Sequence, residues 1–309
     1  MSALPRWIEP QLLSLAARVP DGAGWIHELK YDGYRLHLWL EDGRVRLLTR
    51  GGHDWAERMP ALVRCAETLD AGTAYLDGEL VVLDENGLPD FDALHGWIRT
   101  KRKRVPGYLA FQAFDLLHLD GEDLRAHPLI DRKAALAAML ARSGPAARTV
   151  RYVDHLEGNG PVFFERVRAA GLEGVVSKRA TSRYRPGIRA AEWVKTKCFE
   201  RYDLVAVGFT GALGSVLVAA EEPSGRLRYV GRVKGWVARK ARAGLVAALS
   251  ERETDAWPLA GRAPLIKDAR WVRPELTVTV TALPREDGEP LRHATLRDWR
   301  PRNVLKLVR

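Results

Sequence analysis

Lys30 stands where one apolar stretch ends and another begins. The first stretch starts at Trp25, an Asp-Gly turn signal occupies residues 32–33, and Leu36 and Leu38 follow in strand-like alternation. A lysine at such a strand-to-turn junction can be held rigidly against a ligand, and it becomes a nucleophile when a neighbouring cation, a metal or desolvation removes its proton. An ordinary hairpin with a surface lysine fits this stretch equally well, so the rest of the chain must decide.

Carboxylates head two apolar runs further along the chain. Asp77 and Glu79 precede the run 80–83, and Glu173 precedes the two valines at 175–176. A buried carboxylate is costly unless a cation or a hydrogen-bond donor partners it. Mg²⁺ held by oxygen ligands and phosphates is a natural partner for Glu173. For Asp77 and Glu79, a hairpin turn with a capping glutamate remains the alternative.

Cationic side chains follow or occupy other predicted strands. Arg50 ends the predicted strand 45–49, and an arginine fork matches a pair of phosphate oxygens. Lys195 and Lys197 alternate, so they share one face of a strand, where their charges repel unless an anion such as phosphate lies between them. The alternatives are a solvated arginine at a strand end and an edge strand protected by lysines.

The composition limits the kind of molecule that carries these residues. The chain has 309 residues, which suffices for two domains, and a net charge of +10, which favours a polyanionic partner such as nucleic acid or an anionic membrane. No long apolar run is present, so we expect no membrane association. The two cysteines, Cys65 and Cys198, make neither a disulfide framework nor a zinc motif, so we expect a cytoplasmic setting. The basic run 99–104 is either a solvated loop or a contact to a DNA backbone.

The elements around these residues predict an α+β protein. The apolar and aromatic segment 108–117 reads as a strand carrying Phe114, and residues 131–142 read as an amphipathic packing helix. Beyond Cys198 the pattern changes to short strands, interrupted by one helix over 237–249. Such a pattern within about a hundred residues fits an OB-fold barrel.

Six of these segments, taken in chain order, resemble the motifs of the covalent nucleotidyltransferases. That superfamily includes ATP-dependent DNA ligases, RNA ligases and mRNA capping enzymes. The matching segments are Lys30-x-Asp32-Gly33-x-Arg35, Thr49-Arg50-Gly51, Asp77-Gly78-Glu79, Phe114-Asp-Leu-Leu, Glu173-Gly-x-x-x-Lys178 and Lys195-x-Lys197. Six matches in family order are hard to explain by chance.

The resemblance implies both a fold and a set of roles. It implies an N-terminal ATP-grasp-like nucleotidyltransferase domain of antiparallel sheets and helices over residues 1–198, followed by a C-terminal OB-fold β-barrel over 199–309. Lys30 would attack the α-phosphate of ATP with the help of Mg²⁺ or Mn²⁺. The other implied roles are Glu28 at the adenine amino edge, Phe114 stacked on the base, Glu79 at ribose or metal, Glu173 at the metal, and Arg35, Arg50, Arg189, Lys195 and Lys197 on phosphate.

Two C-terminal segments, 271–276 and 291–293, resemble the ligase module of bacterial ligase D or ligase C, the end-joining enzymes. The resemblance implies an ATP-dependent DNA ligase that seals 5′-phosphate/3′-hydroxyl nicks or ends through a lysyl-AMP intermediate. We expect a monomeric, nucleoid-associated bacterial protein, either stand-alone or part of a larger ligase. Its partners would be double-stranded DNA with nicks or ends and the end-binding protein Ku. An RNA ligase or a capping-type guanylyltransferase is the alternative.

The last motif of the family is altered here. The family usually has Arg-x-Asp-Lys, whereas this chain has Arg300-Pro-Arg302-Asn303. In the family this segment closes over the ATP pyrophosphate, so the change predicts an altered lysine adenylylation step. Either Arg302 engages pyrophosphate as a cation, or the chain is a catalytically weak relative that binds DNA.

Overall fold

The computed structural model describes residues 2–100, 105, 107–211, 214–234, 239–284 and 290–302. Most of the basic run 99–104, the start of the helix expected over 237–249, and Asn303 lie outside these residues. The chain folds as two compact units, residues 1–197 and 198–309.

Within its described residues, the first unit has eleven strands and four α-helices. The strands are β1 (Leu12–Leu15), β2 (Trp25–Leu29), β3 (Tyr34–Glu41), β4 (Arg44–Thr49), β5 (Thr73–Leu83), β6 (Tyr108–Leu119), β7 (Glu122–Asp123), β8 (Val150–Tyr152), β9 (Leu156–Glu157), β10 (Gly174–Arg179) and β11 (Arg189–Lys197). The helices are α1 (Pro60–Ala66), α2 (Phe91–Thr100), α3 (Leu129–Arg142) and α4 (Gly160–Ala169).

One sheet of this unit follows the order β4-β3-β5-β6-β7, with β8 paired to β6. Strand alternation sends Leu36 and Leu38 of β3 into a core that also takes Leu62 of α1, Leu94 of α2 and Leu136 of α3. The helices α1, α2 and α3 therefore cover one face of this sheet.

The second sheet follows the order β1-β11-β10-β2-β9, antiparallel except where β1 runs parallel to β11. Ile26 of β2 and Trp193 of β11 pack with Trp39, Tyr75 and Leu117 of the first sheet. The two sheets thus face each other across an apolar layer, while α4 packs against β2 and β10. This layering leaves one cavity between the sheets, lined mainly by residues of β2, β3, β5, β6, β10 and β11 and by the segment 30–31 that follows β2.

The second unit is built on one sheet. Its described strands are β12 (Glu200–Thr210), β13 (Ser215–Glu221), β14 (Leu227–Val233), β15 (Glu253–Thr254), β16 (Ala269–Val272), β17 (Leu276–Ala282) and β18 (Thr295–Pro301), and its helix is α5 (Arg239–Ser250). The pairing order is β14-β13-β12-β16-β15, with β17 joining β12 to β18. Leu245 and Leu249 of α5 pack on Leu204, Phe209 and Val278.

The predicted α+β character is confirmed. Residues 56–58 form a 3-10 turn, and α1 begins at Pro60. A proline lacks the N–H that a helix interior needs, so it stands at the first helical position instead. Asp54 accepts hydrogen bonds from the backbone N–H groups of Leu47 and Ala56, at 3.1 and 3.0 Å. None of the helices in the described part of the chain is long and apolar enough to cross a bilayer.

Glycine at position 78 is required by a close approach of β5 to β6. A Cβ placed on Gly78 would lie 2.5 Å from Cζ of Phe111 and 2.8 Å from the backbone oxygen of Gln112. Phe111 is completely buried, and a backbone oxygen cannot move aside alone. The Asp-Gly-Glu segment therefore owes its glycine to packing.

We predict that Gly78→Ala lowers the unfolding free energy of the first unit by about 1–3 kcal/mol, because it overpacks the core. Gly96→Ala is the matched control, since Gly96 lies inside α2 with no atom within 4 Å of the added methyl group. The control should raise stability by up to about 1 kcal/mol through helix propensity. Urea unfolding followed by circular dichroism measures both; equal effects of the two variants would contradict the prediction.

Candidate active site

The cavity between the two sheets of the first unit gathers half of the residues singled out from the sequence. Lys30, Glu28, Arg35, Glu79 and Phe114 all line it. The remaining lining residues are Leu13, Leu29, Tyr31, Val153, Val176, Lys178 and Trp193. The two facing sheets supply most of these side chains, with Glu79 and Phe114 coming from the middle of β5 and β6, which is why residues far apart in the sequence meet here.

Strand register places the lysines on one side of the second sheet. The backbone N–H of Lys30 donates to the oxygen of Gly174 at 2.9 Å, and Gly174 pairs with Lys197. Two residues further along β10, Val176 pairs with both Glu28 of β2 and Lys195 of β11. Directly paired residues project to the same face of a sheet. The charged groups of β2 and β11 therefore converge on the cavity side, as the alternation of Lys195 and Lys197 predicted.

The carboxylate of Glu173 links two of these lysines. One of its oxygens accepts a hydrogen bond from the Lys30 amine, and the other lies 2.9 Å from the Lys197 amine. The Glu173 side chain is only 4% exposed. Burial and the neighbouring charges of Lys30 and Lys197 lower the pKa of Lys195. Three lysines and one carboxylate give the region beside Lys30 a net positive charge, which suits a phosphate chain.

Glu79 presents a second carboxylate to the same cavity. Among the described residues, no hydrogen bond or ion pair is seen at its carboxylate. Burial raises the pKa of Glu79 to about 8, against the opposing charges of Lys30 and Arg35. A half-buried carboxylate without a strong partner is the kind of group that a cation completes.

The donor set fits Mg²⁺. No group of three or more His, Cys, Asp or Glu side chains that could cage a metal occurs in the described ranges. Mg²⁺ is commonly held by one or two carboxylates together with substrate phosphates and water. Glu79 and Glu173 supply that number of carboxylates, beside lysines that would bind phosphate.

Arg35 is held by a buried network. Its Nε and Nη2 atoms donate to the two oxygens of Asp77 at 2.9 and 2.5 Å, and its Nη1 donates to the backbone oxygen of Gln11 at 2.6 Å. Tyr184 donates to Asp77 at 2.7 Å, and His37 lies 3.3 Å from it. The guanidinium fork is thus committed to Asp77, and the phosphate contact assigned to Arg35 stays a prediction.

Phe114 offers an aromatic face beside the charged groups. Its ring is half-buried on β6, with the Lys178 amine 4.3 Å and the Arg35 guanidinium carbon 5.4 Å from the ring centre. The Lys178 amine also lies 4.4 Å from the centre of the Trp193 ring. The position of Phe114 in the cavity is compatible with stacking on a flat base.

Glu28 lies at the inner end of the cavity between two buried lysines. Its Oε1 lies 2.6 Å from the Lys133 amine, and its Oε2 lies 2.6 Å from the Lys178 amine. These two cations hold the pKa of Glu28 below its usual value although burial opposes them. Glu28 is therefore an ionised, acceptor-only group.

Two of these functional neighbours were missed from the sequence. Lys178 belongs to the segment beginning at Glu173, and its two-residue spacing from Val176 would have placed it on the cavity face. Lys133 carried no such signal, because α3 reads as an amphipathic packing helix. Its burial against Glu28 follows from tertiary structure alone.

Four predicted phosphate ligands, Arg50, Arg189, Lys195 and Lys197, are not among the residues that line the cavity. Glu173 does not line it either, but it contacts Lys30 and Lys197 and so adjoins the cavity. Arg50 lies exposed on the turn after β4. Arg189 is exposed at the start of β11, where its Nη1 donates to the backbone oxygen of Leu13. Their roles stay predictions.

Two family models match the chain in succession. The model described as "ATP dependent DNA ligase domain" matches residues 13–197, and "ATP dependent DNA ligase C terminal region" matches residues 209–303. The chain belongs to the ATP-dependent DNA ligase family. The expectations of a nucleotidyltransferase fold followed by an OB-fold region, and of ATP as cofactor, are confirmed.

Curated relatives of this ligase-family chain are larger proteins. It is 38% identical to the "Multifunctional non-homologous end joining protein LigD" of Pseudomonas aeruginosa, over 96% of this chain and 36% of that protein. It is 34% identical to the corresponding DNA repair protein of Mycobacterium tuberculosis, over 90% of this chain and 36% of the relative. The chain thus spans about a third of the length of these relatives.

Solved structures agree with this placement in the ligase family. The ligase domain of M. tuberculosis LigD is 33% identical, with a TM-score of 0.57 and 95% of each chain covered. A mycobacterial DNA ligase D complexed with ATP and MES is 32% identical, with a TM-score of 0.58 and the same coverage. These matches favour a DNA ligase over the RNA ligase and capping enzyme alternatives.

We predict that Asp77→Asn lowers the unfolding free energy of metal-free protein by about 3 kcal/mol at neutral pH, because it breaks a buried charge pair. Arg35 and His37 hold the pKa of Asp77 well below its usual range. The stabilisation from such a group is present above the unfolded-state pKa and is lost as the pH falls. The difference in unfolding free energy between Asp77→Asn and wild type should therefore become smaller as the pH falls.

The matched control is Asp70→Asn. Asp70 pairs with Arg142 at 2.6 Å, but both side chains are 54% exposed. Exposed pairs contribute under about 1 kcal/mol, so this variant should unfold close to wild type. Urea titrations from pH 3 to 7 compare the two; an Asp77→Asn curve that coincides with the control would refute the structural role of the buried pair.

Proposed function

We propose that this chain seals 5′-phosphate/3′-hydroxyl nicks or ends in double-stranded DNA through an adenylate carried on Lys30. The observation that carries the proposal is the position of the Lys30 amine. It lines a cavity together with the carboxylates of Glu28 and Glu79, the Lys178 amine and the Phe114 ring, and Glu173 joins it to Lys197. The reaction needs a nucleophile, cations for the phosphates and a surface for the base, and this cavity supplies all of them.

In the first step, the Lys30 nitrogen attacks the α-phosphorus of ATP, a lysine–phosphorus bond forms, and pyrophosphate leaves. Lys30 must lose its proton before it attacks. In the structure, the Lys30 amine donates a hydrogen bond to the carboxylate of Glu173. A cation that binds Glu173 would compete with this hydrogen bond.

Different residues around Lys30 contact different parts of the nucleotide. Lys195 and Lys197 are placed to neutralise phosphate oxygens, while Phe114 stacks on the base and Glu28 accepts from its amino group. Mg²⁺ bound through Glu79 and Glu173 would neutralise charge that develops on the phosphates. Fixing the reacting atoms in this way is the main source of rate in phosphoryl transfer.

In the later steps, AMP passes from Lys30 to the DNA 5′-phosphate, and the DNA 3′-hydroxyl displaces it. The net charge of +10 supports a grip on the DNA backbone that weakens with salt and does not read sequence. The end-joining names of the relatives support a place in double-strand break repair. Association with Ku, a monomeric state and location at the bacterial nucleoid belong to the same proposal.

Intact-protein mass spectrometry tests the first step. We expect wild-type protein incubated with ATP and Mg²⁺ to gain one AMP, and Lys30→Ala to gain none, because the variant lacks the attacking nitrogen. Excess EDTA should abolish the gain, since phosphate charge is then not neutralised. GTP should give no adduct.

The control for this experiment is Lys267→Ala, an exposed lysine of the second unit, which should be labelled like wild type. A GMP adduct would move the protein to the capping enzymes. Absence of any adduct in protein shown to be free of bound AMP would favour a DNA-binding relative without ligase activity.

The altered C-terminal motif gives a second test. Arg300 is 56% exposed and pairs with Asp203 at 2.7 Å, a contact that solvent and phosphate can readily replace. Arg302 is 19% exposed, pairs with Glu221 at 2.7 Å and donates to the oxygen of Pro274. We therefore expect Arg300→Ala to slow lysine adenylylation at least tenfold more than Arg302→Ala.

Rapid-quench measurement of the adenylylation rate with radiolabelled ATP compares the two variants. Glu221→Gln is the control that loosens Arg302 without removing it, and it should leave the rate near wild type. Equal slowing by Arg300→Ala and Arg302→Ala would instead assign Arg302 a direct role at the pyrophosphate.

A further inference from the structure

Lys133 is a buried cation that none of the family motifs includes. It lies on α3 and is completely buried, 105 residues away in sequence from the carboxylate that it contacts. Its amine donates to Glu28 at 2.6 Å and to the backbone oxygen of Val153 at 2.9 Å. The amine also lies 4.6 Å from the centre of the Tyr152 ring. Three neighbours thus define one position for this ammonium group.

Lys178, the second cation at Glu28, is held differently. Its amine lies 2.6 Å from Glu28 but makes no well-formed hydrogen bond among the described residues. Instead it lies against the ring faces of Phe114 and Trp193, both close to 4.4 Å. Burial lowers the pKa of Lys178, whereas the pKa of Lys133 is raised through Glu28 despite its burial. Lys133 is therefore the permanent counter-ion of the carboxylate.

A carboxylate has about four lone-pair sites, and the two lysines occupy two of them. Glu28 lines the cavity, so the remaining sites can accept from a ligand. An ionised carboxylate accepts but cannot donate. It therefore matches a purine with a 6-amino group and repels the carbonyl oxygen of a 6-oxo purine.

We propose that Lys133 is a positioning residue for base selection, which fixes the ionised Glu28 carboxylate so that the site takes 6-amino purines in preference to 6-oxo purines. This inference rests on the proposed function, because it assumes that ATP occupies the cavity. It goes further because it assigns the base selectivity to Lys133, a cation on a packing helix. Lys133 acts through Glu28 and does not contact the nucleotide itself.

Removal of Lys133 changes Glu28 in two ways. The carboxylate loses the donor at its Oε1 atom. Only Lys178, whose amine lies against the rings of Phe114 and Trp193, then still pairs with it. The carboxylate also loses half of the charge that keeps it ionised, and a protonated Glu28 could donate to a 6-oxo group. Both changes weaken the preference for adenine.

A purely structural role is the competing explanation, since Lys133 also ties α3 to Val153. Arg132 provides the matched control for that explanation. It is the neighbouring residue on α3, is equally buried, and forms a two-point pair with Asp115 at 2.8 Å without lining the cavity. Its loss should damage the packing of α3 at least as much.

The experiment measures the rate constant kcat/KM for lysine adenylylation with ATP and with ITP, whose base carries a 6-oxo group. Wild type, Lys133→Met, Arg132→Met, Glu28→Gln and Glu28→Gln/Lys133→Met are compared. We expect Lys133→Met to lower the ATP/ITP ratio about tenfold, equivalent to about 1.4 kcal/mol of discrimination. Arg132→Met should lower thermal stability and leave the ratio within twofold of wild type.

The double variant tests whether Lys133 affects base selectivity through Glu28. Because Glu28→Gln already removes the charged acceptor, adding Lys133→Met should change the ATP/ITP ratio less than twofold. If Lys133→Met alone does not fold, Lys133→Gln replaces it, since the amide keeps a donor but removes the charge. The same loss of selectivity is expected from it.

Three results would overturn the inference: an unchanged ratio in Lys133→Met, an equal change in Arg132→Met, or a full further loss in the Glu28→Gln background. These are distinct from failure of the proposed function, in which wild-type protein itself acquires no AMP from ATP.

Discussion

The active site depends on the carboxylate of Glu173, which is shared between Lys30 and Lys197. Without it, three lysine amines would face one another at one end of the central strands of a sheet. With it, the antiparallel pairing of β2, β10 and β11 can hold the nucleophile and the phosphate-binding lysines on one face. The same carboxylate accepts a hydrogen bond from the Lys30 amine, so a ligand that competes for Glu173 also frees the lysine for attack.

The cavity separates buried charge into three groups. Asp77 fixes Arg35, Lys133 and Lys178 neutralise Glu28, and Glu173 bridges two lysines. In each group, direct pairing of opposite charges offsets the free-energy cost of burying them. Glu79 is the exception among the cavity carboxylates, because the described residues offer it no such partner. A carboxylate left available in this way suits a site that binds a cation together with a charged substrate.

The sheet that carries Glu28 and Lys30 is supported on its far side by α4. His27, next to Glu28, points that way and lies 2.9 Å from Ser177, completely buried. Alternation along β2 therefore divides successive residues between packing and chemistry. The nucleophile gains its rigidity from this division, since its strand cannot shift without disturbing the opposite face.

The sequence by itself determined the α+β class, the two-part organisation of motifs and most of the nucleotide site. Lys30, Glu79, Phe114 and Glu173 were singled out because each belongs to a short segment that resembles a family motif, and such segments are visible in the sequence alone. Only the tertiary structure decided that Arg35 is committed to Asp77, that Arg50 does not line the cavity, and that Lys133 reaches Glu28. Those outcomes depend on which distant elements pack together, and local periodicity carries no record of that packing.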